Sequence, residues 1–138
     1  MSTVLLQVLD RVDVLLKACA PVGCQVFRER AEAESRSEAP NINVQPKEAS
    51  VESFSAEMDR HQVSVEVRIQ VRADPPTPAA ELIHALVHAA LMGDATLLAL
   101  VHSVRLESST FSEAEADATV LDKVSRYRVT YLISKTAL

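Results

Sequence analysis

The clearest regularity in the chain is the alternation from His61 to Arg72, HQVSVEVRIQVR. Val63, Val65, Val67, Ile69 and Val71 fall on one side of it, and Gln62, Ser64, Glu66, Arg68, Gln70 and Arg72 on the other. Successive side chains of a strand point to opposite faces, so the segment predicts a strand with one dry and one wet face. At about 3.4 Å per residue such a strand is longer than most. Its Val-rich face suits a pleated, half-buried surface, and the rest of the chain must cover it.

Upstream, Val4, Leu5, Val8, Leu9, Val12, Leu15 and Leu16 recur at helical spacing and predict an amphipathic helix over 3–18. Ser2 is placed to cap its start, and Pro21 with Gly23 to close its end. Leu6 and Val14 lie off the stripe and point to a second contact surface. Residues 25–28 read as a short strand. Residues 29–39, ERAEAESRSEA, have mixed charge and no apolar anchors, which predicts a mobile loop; a sharper reading is a loop that orders against a partner. Residues 40–46 form a short alternating strand with Ile42 and Val44 inward and a proline at each end. The stretch 47–60 fits a helical turn (Val51, Phe54, Met58) or a strand (Phe54, Ala56, Met58), and its position between two strands favours an extended hairpin connection.

Beyond the long strand, Pro75 and Pro76 end the sheet pairing, Thr77 takes the N-cap position and Pro78 the first helical one. The helix then runs to about residue 91, with Leu82, Ile83, Leu86, Val87, Ala90 and Leu91 as its buried stripe and Glu81 in its first turn. Gly93 is placed as a left-handed C-terminal cap, and Asp94 caps one further turn through Leu100. A strand over 101–108 carries His102, Val104 and Leu106 on one face. The polar segment 107–118, ESSTFSEAEADA, reads as a second mobile loop. The last strand covers 121–134, where Tyr127, Val129, Tyr131 and Ile133 alternate with Arg126, Arg128, Thr130 and Leu132. Strands that are dry on one side belong to an antiparallel or mixed sheet covered on one face. The fold class is α+β: a two-layer sandwich, one domain over 1–138, with two main helices packed on one face of the sheet.

Composition narrows the function classes. The chain is 138 residues long, 48% hydrophobic but only 4% aromatic, so its core is aliphatic. Lys and Arg number 14 against 19 Asp and Glu, for a net charge of −5. With no basic cluster interleaved with aromatics, nucleic-acid binding by phosphate neutralisation and docking to an anionic membrane are both disfavoured. No apolar run reaches the ~20 residues that span a bilayer, and Arg11 is the first positive side chain, so no signal peptide is read. Cys19 and Cys24 are too few for a disulfide scaffold and fit reduced thiols in a cytoplasmic setting.

Candidate chemistry is sparse. His84 and His88, four apart on one helix, can present two imidazoles to a metal, with Glu81 as a third ligand. A zinc protease would carry Glu where this chain has Ala85, and the plainer reading puts both histidines on a solvated flank opposite Leu82, Leu86 and Val87. His61 and His102 lie in predicted strands that can approach each other. Glu113, Glu115 and Asp117 lack the glycine and terminal bidentate Glu of a calcium loop. With only Gly23 and Gly93, no glycine loop cradles a phosphate, and no Gly-x-Ser-x-Gly or Cys/His pair appears. No residue is assigned as catalytic, cofactor-binding or metal-binding, and the chain reads as non-enzymatic.

The order of elements, from the leading helix through APNINV, HQVSVEVRIQVRADPP and ELIHALVHAALM to the closing YRVTYLI, resembles the tail terminator (minor tail, gpU-like) proteins of long-tailed bacteriophages and prophages. It spans roughly residues 3–134 and rests on pattern rather than on one motif. The resemblance implies a structural virion assembly protein, built in the bacterial cytoplasm and located in the virion tail. It implies a hexameric ring capping the head-proximal end of the tail tube, with itself, the tube protein and the head–tail connector protein as partners. DNA then passes through the lumen without specific binding, and an acidic lumen reduces sticking by charge repulsion. The alternative reading is another small α+β module, such as a neck or connector component, or a metal- or ligand-binding domain using His84 and His88.

Overall fold

The structure, a computed structural model, describes residues 3–29, 40–114 and 117–137, with the backbone alone at 113, 114, 117 and 118. Helix α1 (Val4–Cys19) leads into strands β1 (Gln25–Arg28), β2 (Asn41–Ser53) and β3 (Met58–Arg72). Helices α2 (Thr77–Met92) and α3 (Ala95–Leu100) follow, then strands β4 (Ser103–Ala114) and β5 (Asp117–Ser134). The five strands form one mixed sheet in the order β1-β2-β3-β5-β4. Only β1 and β2 pair in parallel; all other neighbours are antiparallel. The fold is α+β, with helices on one face.

β3 is the centre of the sheet, bonded to β2 on one side and to β5 on the other. Val63, Val65, Val67, Ile69 and Val71 are all buried and meet Val8, Leu9, Val12 and Leu16 of α1 in one core cluster. Ile83, Val87 and Leu91 of α2 and Leu97 of α3 complete that cluster. Removing such aliphatic side chains from water is the main force holding the two layers together.

Local chemistry explains the ends of the elements. Thr3, not Ser2, caps α1: its hydroxyl accepts the Leu6 N–H at 3.1 Å. Thr77 lies inside α2 rather than at its cap, because Pro76 occupies the cap position. Starting there puts Glu81 beyond the first turn, so its carboxylate serves a side chain rather than the helix end. Gly93 is right-handed (φ −99°), not left-handed. Its need is closeness: a Cβ there would sit 2.9 Å from the Ala89 carbonyl oxygen.

Two strands run further than the sequence suggests. Pro46 does not end β2, which continues to Ser53 with a register shift between Pro46 and Glu48. β1 covers only Asn41–Val44, so beyond it β2 is an edge strand, where a missing N–H and a bulge are tolerated. Residues 107–114, 117 and 118 are strand rather than loop: β4 extends to Ala114, β5 begins at Asp117, and the two arms pair; 115 and 116 lie outside the described residues. Of the other expected loop, 29–39, only Glu29 is described; its N–H donates to the Val44 carbonyl at 2.7 Å and its φ is +54°.

Candidate functional site

The sheet's inner face is not wholly apolar. Extending the alternation of Tyr127, Val129 and Tyr131 backwards along β5 brings Ser125 and Lys123 onto the same face, opposite α2. Both are buried, at 2% and 5% exposure. The register confirms the parity: Val65 pairs with Tyr127, Val67 with Ser125 and Ile69 with Lys123. Three polar positions of β5's inner face therefore need partners from the helix above.

α2 supplies them by turning from its expected orientation. The buried positions are Ala80, Ile83, Val87 and Leu91, whereas Leu82 is 63% exposed and Leu86 38%. Of the expected stripe, Ile83, Val87 and Leu91 are buried and Ala90 is half-buried, whereas the burial of Leu82 and Leu86 is corrected, and with it the solvated position of the histidines. Glu81, His84 and His88 border the sheet as a polar seam. The Lys123 ammonium bonds the Glu81 carboxylate and lies 4.7 Å from the centre of the Phe111 ring, which β4 places directly across from it. The Ser125 hydroxyl is 3.5 Å from His84 Nδ1 and 3.1 Å from the Ser109 hydroxyl of β4. His88 Nδ1 pairs with the Tyr127 hydroxyl at 3.0 Å.

Electrostatics follow from this packing. The bond from Lys123 draws the Glu81 carboxyl below its ordinary range. Burial first, and the Lys123 ammonium second, hold the His84 imidazole below its usual value and so neutral. Burial pushes the Tyr127 phenol up to about 12. Each ring nitrogen facing the sheet has a protein partner, and the imidazole centres are 6.0 Å apart. Among the described residues no three His, Cys, Asp or Glu side chains group closely enough to hold a metal ion. Ser125 lacks the access a nucleophile needs, since it is buried between the sheet and α2. The seam ties layer to layer.

The remaining candidates lie apart. His61 stacks on Tyr131 with ring centres 5.2 Å apart, beside an apolar groove on the helix face. His102 lies just before β4 and lines a hollow on the opposite face, so the sheet separates the two histidines. Cys19 and Cys24 are free and half-buried; burial, and then Cys19, pushes the Cys24 thiol up to about 11. The side chains of Glu113, Glu115 and Asp117 lie outside the described residues.

Two surface features remain. One is the groove of about 310 Å³ lined by Leu5 of α1 with Ala49, Val51, His61, Val63 and Tyr131 of the sheet. It lies along the half of the β2–β3 hairpin nearer the turn, where every residue from 47 to 57 is exposed, including Val51 at 57% and Phe54 at 52%. The other is a polar hollow of about 290 Å³ on the open sheet face. The sequence hinted at neither, because each joins residues that only the register of distant strands brings together. No protein-family model matches the chain, and no curated protein matches it. No helix among the described residues is long and apolar enough to cross a membrane.

Proposed function

We propose that this chain is a structural assembly protein that caps the head-proximal end of a phage tail tube, stops its polymerisation and offers the surface for head–tail joining. In this reading identical subunits close into a ring, most simply a hexamer, in the virion tail. The observation that carries it is the β2–β3 hairpin. Its exposed Val51 lines an uncovered apolar groove and its exposed Phe54 lies three residues further towards the turn, an arrangement that leaves apolar surface for a neighbour to cover. A hairpin entering the next subunit's groove is a heterologous contact, and such contacts close into rings when the rotation permits. The resemblance in element order supplies the tail-terminator role. The reading based on a His84 and His88 metal site has less support, because among the described residues no three His, Cys, Asp or Glu side chains group closely enough to hold a metal ion.

Sedimentation velocity from micromolar to millimolar protein, with electron microscopy of the heaviest species, tests the proposal. Closed rings with an open lumen are the expected result, alone or on addition of tube ends. A strict monomer at every concentration that also fails to bind tail tubes would overturn it.

A further inference from the structure

We propose that the hollow on the open sheet face is an oxyanion site that takes the carboxylates of an acidic polypeptide segment. Three arginines line it, one from each of three strands: Arg60 of β3, Arg128 of β5 and Arg105 of β4. Arg105 and Arg128 are direct cross-strand partners. Like charges placed opposite each other destabilise a sheet, so the pairing works against folding unless an anion lies between them. Arg128 is held by Glu107, and Arg60 by Glu52 at 2.8 Å. Among the described residues no carboxylate pairs with Arg105, so uncompensated positive charge remains at the hollow in a chain of net charge −5. Ser103 and Thr130, in register with each other beside the arginines, add hydroxyl donors.

The surroundings select the ligand. A guanidinium fork matches a carboxylate in a two-pronged, charge-assisted contact. Alternate side chains of an extended segment are about 6.8 Å apart on one face, a spacing at which two carboxylates can share a hollow of about 290 Å³. Glu52 and Glu107, bonded to Arg60 and Arg128, offset two of the three positive charges. A nucleic-acid strand, charged at every nucleotide, brings more negative charge than the remaining arginine can balance. A short acidic peptide segment fits where a long polyanion does not.

The test titrates the isotopically labelled full chain with a synthetic hexapeptide of alternating Glu and Thr, following backbone amide shifts by NMR. Saturable shifts are expected at Gln62, Ser103, Arg105 and Thr130, fading in about 0.5 M salt as screening demands. Arg105→Gln is expected to weaken binding about tenfold, the loss of one charge-assisted contact. The same variant should melt at or above the parent's temperature, because it removes a like-charge pair. Absence of shifts at millimolar peptide would overturn the proposal. So would an equal response to a Lys–Thr peptide, or tighter binding of a single-stranded oligonucleotide of equal charge at the same amides. A lowered melting temperature with unchanged peptide binding would make Arg105 a structural residue and overturn it too.

Discussion

At the scale of single residues, Asp94 illustrates how one side chain can fix several parts at once. Its carboxylate caps α3 by accepting the Leu97 N–H at 2.7 Å and takes two bonds from the Arg11 guanidinium of α1, at 2.9 and 2.7 Å. The Arg11 bonds hold its pKa at about 2, below the ordinary 3.8, against the opposing pull of burial. A folded value below the unfolded one means the stabilisation is full above the unfolded pKa and is lost as pH falls through the folded one. Asp94→Asn keeps a capping oxygen but loses the charge, so its melting temperature should lie a few degrees below the parent's near neutral pH. Thermal unfolding followed by circular dichroism should show that gap constant down to about pH 5, narrowing below about pH 4. A gap independent of pH would mean the ion pair contributes nothing. Tyr127 offers a second residue-scale test. Tyr127→Phe removes the partner of His88 Nδ1 in a half-buried place and should cost about 1 kcal/mol in urea unfolding. Adding His88→Gln to that variant should cost much less than His88→Gln alone, since the two groups act as a pair.

At the scale of elements, what could be read from the sequence was whatever depends on a short period. The alternation of Val63 to Val71 located β3 and its buried face, and the spacing of Val8, Leu9, Val12 and Leu16 located α1 and its inner stripe. α2 was harder, because ELIHALVHAALM is apolar almost all round and its periodicity alone leaves the rotation open. Lys123, Ser125 and Tyr127 on β5 settle the orientation, and they lie about forty residues downstream. The β4–β5 arms were hidden for a related reason: residues 107–112, ESSTFS, are exposed on both faces and show no apolar alternation, yet backbone pairing with β5 carries them. Gly93 separates two accounts of a helix end. A left-handed cap would tolerate Asn and reject Ala, whereas the observed crowding at the Ala89 carbonyl penalises any Cβ alike. Gly93→Ala and Gly93→Asn are therefore both expected to destabilise by roughly 1–3 kcal/mol in urea unfolding. A clear advantage for Asn would restore the left-handed cap.

At the scale of the whole molecule, one sheet is covered on one face and left open on the other, and the turn half of its β2–β3 hairpin is exposed from 47 to 57. That division separates what folds the chain from what is available to neighbours. The helices bury the aliphatic face, while Leu6 and Val14 on α1 remain exposed at 43% and 54%. Lys135 fastens the turn end of the hairpin: its ammonium bonds Ser53 at 2.9 Å and Asp59 at 2.6 Å, and its N–H donates to the Glu57 carbonyl at 3.0 Å, while Val51 and Phe54 stay exposed. Those two side chains should therefore be dispensable for folding and required for the proposed assembly. In the isolated subunit Val51 and Phe54 bury little surface, and the contact of Phe54 with Arg60, 5.1 Å away, is of an exposed kind worth about 0.5–1 kcal/mol. The double variant Val51→Ser, Phe54→Ser should thus melt within a few degrees of the parent. In sedimentation velocity the same variant should remain monomeric at concentrations where the proposed rings form in the parent, because apolar surface in the groove wall and near the turn that a neighbour would cover is gone. Undiminished ring formation would place the subunit contact elsewhere, with the exposed side of α1 the next surface to alter. A large fall in melting temperature would instead show that the hairpin belongs to the subunit's own core.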